Sequence, residues 1–347
     1  MLGISVYLGN DPDQNTRWIK KAGSCGFQKI FTSLHIPEED ASLLRERLIH
    51  LGEAAGKAGM AIMADAGPRS LKNIGVSMDS LGQLREWNIN GLRADYGFPD
   101  HEIIALSQRL KVGINASTLD EKKVNTWNRN GLVIQNVEAW HNFYPRQNTG
   151  ISSAFLLEKN NFLKSLGLQT AAFVPGDKKL RGPVYEGLPS LEKHRKADPF
   201  HAAVELSSLQ TDHILIGDVE ASDVTLERLS SWKDGILTLR AEWTEGEAVS
   251  VIHTNRQDTA RDVIRSVESR SYAANNGKKV TAQDPPLPRP VGTITIDNEK
   301  YGRYAGELQI TKTDLPADER VNVIGRVKDE DLKLLPYIGP GQKFLVQ

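Results

Sequence analysis

Two stretches of the sequence concentrate side chains able to do chemistry. Residues 135–146 read QNVEAWHNFYPR and bring together Glu138, His141, the amides Gln135, Asn136 and Asn142, the rings Trp140, Phe143 and Tyr144, and Arg146. That set suits a sugar: amides and imidazole for hydroxyls, rings for stacking, and a guanidinium fork for a phosphate or carboxylate. The competing reading is a structural loop whose aromatics plug one end of the fold, but ordering so many polar groups costs entropy that a ligand would offset. Residues 177–190 read DKKLRGPVYEGLPS, where Lys178, Lys179 and Arg181 suit an anion and Glu186 adds a carboxylate; a solvated basic turn is the plainer alternative.

Asp65 in MADAGP and Asp95 in LRADYG each follow an apolar run directly. Paired carboxylates on one cavity are what hydrolysis of a glycosidic bond requires, one to give a proton and one to stabilise positive charge. Taken singly, each aspartate reads as a helix cap or loop acceptor. Glu138 lies between Val137 and Trp140, and apolar surroundings keep a carboxylic acid protonated. It is the expected general acid, with Asp65 or Asp95 as ionised partner. No H-E-x-x-H, C-x-x-C, G-x-S-x-G or phosphate-loop motif occurs, and Glu138-x-x-His141 occurs once, so no metal or other cofactor is expected. A metal-assisted site on Asp65, Asp95 and Asp218 stays open as an alternative.

These residues fall at the ends of short apolar runs. Strands are expected at 3–8, 29–33, 61–64, 91–94, 112–115, 132–135, 170–174 and 213–216, with helices between them, among them 40–58 and 191–209. Eight strand–helix units in about 235 residues give the count of a closed (β/α)8 TIM barrel, with an open doubly wound sheet as the competitor. In such a barrel function gathers at the C-terminal strand ends. After Gly235 the pattern changes: strands at 236–243, 248–253, 291–296, 306–311, 322–327 and 343–346, one helix at 259–268, and an exposed loop at 275–290. This reads as a second, mostly β domain at 236–347 following a catalytic domain at 1–235.

The chain has 347 residues, 43 Lys+Arg against 44 Asp+Glu, and one cysteine, Cys25. The balanced charge argues against nucleic acid or an anionic membrane as partner. A lone cysteine excludes an internal disulfide. No signal peptide and no spanning apolar run is visible, so a cytoplasmic protein is expected.

GISVYLG, MADAGP, NINGLRADYG and IQNVEAWHNFYPRQNTGIS resemble the bacterial 6-phospho-N-acetylmuramidase family over essentially the whole chain, most specifically in HNFYPR (141–146). The resemblance implies a TIM barrel followed by a cyclophilin-like β domain. It also implies intracellular hydrolysis of the disaccharide 6-phospho-N-acetylmuramyl-N-acetylglucosamine during peptidoglycan recycling. Under it, Asn115, Gln135, Asn136 and Asn142 suit hydroxyls and the acetamido group, with His141, Tyr144 and Glu186 nearby. Arg146, the run Lys178–Arg181, or Arg326 of the second domain would meet the phosphate. Carboxylate nucleophile, direct water attack and substrate-assisted attack stay open. So do two other classes: a sugar-phosphate lyase, isomerase or epimerase, and a non-catalytic binding protein.

Overall fold

The computed structural model describes residues 1–35, 43–94, 97–244, 251–269 and 280–347. The chain divides into two compact units, Met1–Ser230 and Ser231–Gln347. The first is a closed barrel of eight parallel strands in sequential order: β1 Leu2–Ser5, β2 Lys29–Ser33, β3 Ala61–Ala66, β4 Ile89–Ala94, β5 Lys111–Asn115, β6 Val137–Trp140, β7 Gln169–Val174 and β8 His213–Ile216. Helices α1 Pro12–Ser24, α2 Leu44–Ala58, α3 Pro68–Asn73, α4 Gly82–Glu86, α5 Asp100–Ser107, α6 Glu121–Arg129, α7 Ser153–Ser165, α8 Pro199–Ser208 and α9 Asp223–Lys233 fill the connections. Local signals start several of them. Asp11 accepts the Gln14 N–H at 2.8 Å ahead of Pro12, and Asp120 and Ser152 cap α6 and α7 in the same way.

Alternate residues of a barrel strand point inward, so the interior is built in levels. On β2 these are Lys29, Phe31 and Ser33. The middle level is apolar: Phe31, Met63, Trp140, Ala171, Phe173 and Leu215 form one buried cluster, with Phe143 packed on it. Phe31 and Phe143 both meet Phe173 edge-on, at 5.2 and 5.1 Å between centroids, the arrangement aromatic quadrupoles favour. Gly113 leaves room there; a Cβ on it would lie 3.1 Å from Trp140 and 3.2 Å from Arg93.

Below the rings, at the strand starts, sits a buried ionic level. The Lys29 ammonium donates to both Glu138 oxygens at 2.6 Å, and the Trp140 indole N–H donates to Glu138 at 3.1 Å. His213 Nε2 lies 3.7 Å from the same carboxylate. Glu138 pairs in register with Gly113 and with Gln169, the first residue of β7, which fixes it near the N-terminal end.

The sixth strand therefore differs from the expected 132–135. Residues Ile134–Asn136 form a 3-10 turn, and the strand is VEAW, whose inward glutamate breaks the apolar pattern. The expected helix 191–209 splits into a 3-10 turn, Glu192–His194, and α8, which restarts at Pro199 behind its Asp198 cap.

The second unit holds two sheets. One runs β10 (Ala241–Trp243), β15 (Val321–Val327), β13 (Thr293–Asp297), β14 (Leu308–Thr311) and β12 (Val263–Arg265). The other runs β11 (Ile252–Thr254), β16 (Lys343–Val346) and β9 (Ile236–Leu239). The expected strand 236–243 is thus two strands in different sheets. Arg240 at the break is held by buried Asp331, which accepts its backbone N–H at 2.8 Å and its guanidinium at 2.6 Å. Residues 259–268, expected as a helix, contain β12 instead, because pairing with β14 overrides local propensity. Parts of the expected strand 248–253 and loop 275–290 lie outside the described residues.

Breaking a buried pair from one side strands the other charge, at a cost of ~3–5 kcal/mol, whereas replacing both partners by apolar groups is often tolerated. Glu138→Gln should therefore lower stability by about that much, and Lys29→Met with Glu138→Leu should recover most of it; urea denaturation of the three proteins checks this. Burial and the nearby Lys29 cation hold the His213 pKa down, from 6.5 to about 4. Its contribution to stability is complete above pH 6.5 and is lost as the pH falls toward 4. His213→Gln should flatten that part of the stability–pH curve.

Candidate active site at the barrel mouth

Above the aromatic level the inward residues become polar again. At the C-terminal strand ends stand Ser33 of β2, Asp65 of β3, Arg93 of β4 and Asn115 of β5, with Asn142 just past β6. The Arg93 guanidinium meets Asp65 at 3.0 Å through Nη1 and donates to the Asn142 side-chain oxygen through Nη2. Ser33 donates to Asp65 at 3.2 Å, and the His35 N–H donates to Ser33 at 3.2 Å. The His35 ring reaches Ser70 at the start of α3, 2.8 Å away. Asp65 and Arg93 are 8% and 5% exposed, so the pair lies in a poorly solvated setting where its Coulomb attraction is strong. This ring can hold a negative charge in one fixed orientation and offer hydroxyl and amide groups around it.

Two long loops stand on the mouth. The one after β6 carries Asn142, Phe143, Tyr144 and Arg146; Tyr144 is half-buried, and burial pushes its phenol up while the Arg93 charge pulls it back. The one after β7 carries Arg181 and Glu186 and is tied down by Asp218 of the β8 end. The Asp218 carboxylate accepts backbone N–H groups of Gly176 at 2.8 Å, Arg181 at 2.9 Å and Leu188 at 3.1 Å. Burial pushes the Asp218 carboxyl up, and these three bonds oppose it. Loops after strands seven and eight commonly bind a substrate phosphate in barrels; here the chain's own carboxylate takes those N–H groups. Arg181 lies over the Tyr7 ring at 4.2 Å, and the buried Tyr7 hydroxyl donates to the Gly217 carbonyl.

Of the residues singled out in the sequence, Asp65, Asn115, Asn142 and Tyr144 come together here. Asn115 also accepts Ser117 N–H and O–H bonds that shape the following turn. Arg146 and Glu186 lie on the two loops, exposed and half-buried respectively. Asp95 lies outside the described residues.

Four others are corrected by the strand-six boundary. Glu138 lies within β6, at the opposite end of the interior from the mouth. Although burial works against its charge, Lys29, His213 and Trp140 hold its carboxyl below the usual range, so it is ionised rather than a protonated acid. Gln135 and Asn136 precede β6 and so belong to the N-terminal face, where the Gln135 carbonyl accepts Lys111 at 2.7 Å and Asn136 donates to the Ser107 carbonyl at 2.8 Å. His141 points out of the barrel toward α7: its ring donates to Asn160 at 2.8 Å, which donates onward to the Leu209 carbonyl and the Thr211 hydroxyl.

Lys178 pairs with Glu220 at 2.9 Å and Lys179 donates to Gln14 at 3.2 Å, leaving Arg181 as the member of that run beside a mouth residue. Arg326, exposed in the second unit, pairs with Asp329 at 3.0 Å beside Glu242 and Glu330, acidic company that disfavours a phosphate. Among the described residues, no group of three or more His, Cys, Asp or Glu side chains is gathered to hold a metal ion. Asp218 in particular spends its oxygens on the loop.

Arg93 was the residue missed. Its signal was position: it stands next to the last residue of β4, where the register pairs it with Asp65 of β3.

Residues 2–231 match the family model described as 6-phospho-N-acetylmuramidase, N-terminal, and residues 237–347 match its C-terminal counterpart. A crystal structure of a conserved Enterococcus faecalis protein with an unknown function is 42% identical, with a TM-score of 0.84, covering 100% of this chain and 96% of that one. An uncharacterized B. cereus protein is 25% identical, with a TM-score of 0.80, over 100% and 99% of the two chains. No curated protein matches. No described helix is long and apolar enough to cross a membrane.

Because His141 braces α7 from behind the strand, His141→Ala should leave Asn160 with an unmet buried acceptor and cost ~1–3 kcal/mol of stability. Turnover per folded molecule should stay within about twofold of wild type; denaturation and steady-state kinetics on the same samples check both.

Proposed function

The chain belongs to the 6-phospho-N-acetylmuramidase family, and we propose that its barrel hydrolyses the glycosidic bond of 6-phospho-N-acetylmuramyl-N-acetylglucosamine inside the cell, in the recovery of peptidoglycan fragments. The observation that carries this reading is the Asp65 carboxylate at the end of β3, oriented and charge-balanced by Arg93 at the mouth of a barrel from that family. Cleavage builds positive charge at the anomeric carbon, and a fixed, poorly solvated carboxylate stabilises it far better than mobile water does. Asp65 takes that part. Asn142, Asn115 and Tyr144 bind hydroxyls and the acetamido oxygen around it.

The leaving oxygen needs a proton donor. Glu186, half-buried on the loop after β7, is the first choice now that Glu138 is bound to Lys29, with Asp95 as the alternative. The phosphate falls to Arg146 and Arg181, the guanidinium groups of the two mouth loops, since Asp218 occupies the backbone nest between the last two strands. No cofactor is required in this scheme.

Asp65→Asn should lower kcat by ~10²–10⁴-fold on both the phosphorylated disaccharide and an aryl glycoside of 6-phospho-N-acetylmuramic acid. Glu186→Gln should lose as much on the disaccharide but much less on the aryl glycoside, whose leaving group needs no proton. Arg146→Ala should raise KM for the phosphorylated substrate. Wild-type kcat/KM that is equal for phosphorylated and unphosphorylated disaccharide would reject the phosphate part of this reading, and a near-normal Asp65→Asn kcat would reject the carboxylate part.

A further inference from the structure

Behind the two mouth loops lies an ion pair that the proposed chemistry does not use. Arg195 follows the 3-10 turn after the β7 loop and is 7% exposed. A guanidinium carries five N–H donors, and here the group makes five hydrogen bonds. Nε and Nη2 each reach a Glu192 oxygen at 2.7 Å. Nη2 also donates to the Arg146 carbonyl at 3.0 Å, and Nη1 donates to the carbonyls of Pro145 at 3.3 Å and Gly187 at 3.2 Å. The Glu192 carboxylate in turn accepts the backbone N–H groups of Asn148 at 2.9 Å and Gly150 at 2.8 Å. One ion pair thus grips the main chain at 145, 146, 148, 150 and 187.

The approach is close as well as polar. A Cβ on Gly150 would lie 2.7 Å from the Glu192 nitrogen, so the β6 loop is seated directly on this turn. Tyr144 N–H donates to the Pro189 carbonyl at 3.0 Å, and Ser190 donates to the Asn142 carbonyl at 2.8 Å, extending the same seam toward the mouth. The gripped carbonyls belong to Arg146 itself and to the neighbours of Tyr144 and Glu186. A lysine could not reproduce the arrangement, because its ammonium is a compact point charge with three donors and no planar fork.

We infer that Arg195, oriented by Glu192, is a positioning residue: it fixes the two mouth loops relative to each other, so that Tyr144, Arg146 and Glu186 meet the phosphosugar without a further cost of ordering. This rests on the proposed function for the identity of the ligand. Hydrogen bonds from Arg195, joined by the Asn148 and Gly150 N–H groups and opposed by burial, hold the Glu192 carboxyl down, from 4.5 to about 2. The staple therefore persists at mildly acid pH and loosens only as the pH falls through that range.

The test uses full-length Arg195→Lys and Glu192→Gln, each assayed well below its own melting temperature so that loss of folded protein is not read as loss of positioning. Amide exchange at Asn148 and Gly150 at pH 6 should quicken at least tenfold in both variants, while amides of β2 and β8 keep wild-type rates. On the phosphorylated disaccharide kcat/KM should fall ~10–10²-fold, as expected when binding groups are misplaced by about an ångström. Calorimetric affinity for 6-phospho-N-acetylmuramic acid should fall with it. Unchanged exchange in Arg195→Lys overturns the inference, as does quickened exchange with unchanged kcat/KM and affinity. If the wild-type protein cleaves no phosphorylated disaccharide, the proposed function falls instead; the staple is then decided by exchange and by affinity for the phosphosugar, and equal affinity in wild type and Arg195→Lys overturns it.

Discussion

Charge inside the barrel is confined to two levels by the aromatic layer between them. Phe31, Trp140 and Phe173 fill the middle with Met63 and Leu215, and Phe143 closes the layer from above. Groups on either side are thereby withdrawn from water, which makes ionic contacts strong and unpaired charges costly. Lys29–Glu138 lies below and Asp65–Arg93 above, each compact and each close to fully buried. Trp140 ties the lower pair to the aromatic layer, donating its N–H to Glu138 while its ring lies against Phe31. The geometry of the mouth is thus referred back, through packed rings, to an ion pair at the floor.

The upper pair is the one that stands at the mouth. Arg93 bridges Asp65 to Asn142, so the end of β3 and the loop after β6 are held in one constellation. A guanidinium suits this because its planar fork fixes direction as well as charge. Gly113 makes the arrangement possible, since any side chain there would press on Arg93 and Trp140 together. Asp218 plays a matching part on the other side of the mouth, where it gathers the β7 loop around a buried carboxylate. Two acidic residues at strand ends thus do different work: one faces Arg93 and the mouth, and the other faces the backbone of its own loop.

This division explains why strand-end logic placed some residues at the mouth and misplaced others. Asp65, Asn142 and Tyr144 lie at the mouth as expected because they follow clear apolar strands or lie beyond any boundary that could be drawn for strand six. Glu138, Gln135, Asn136 and His141 were misplaced together by a single error, the position of that strand. A five-residue shift moved Gln135 and Asn136 to the far face, put Glu138 at the floor and turned His141 outward. Parity then decided each role, since successive strand residues face opposite sides.

By itself the sequence determined the eight-fold succession of strand and helix, the change to β structure after Gly235, and the family. Each is written in local periodicity or in motifs that need no partner to be read. The tertiary structure alone decided which carboxylate faces the mouth. Glu138 looks like a buried acid from its neighbours Val137 and Trp140, but Lys29, 109 positions away, makes it a salt-bridged anion. Asp65 acquires its orientation from Arg93 and Ser33, and the mouth loops acquire theirs from Arg195. A side chain's ionisation and direction depend on groups brought near it by barrel closure, and closure joins residues whose separation along the chain carries no local signal.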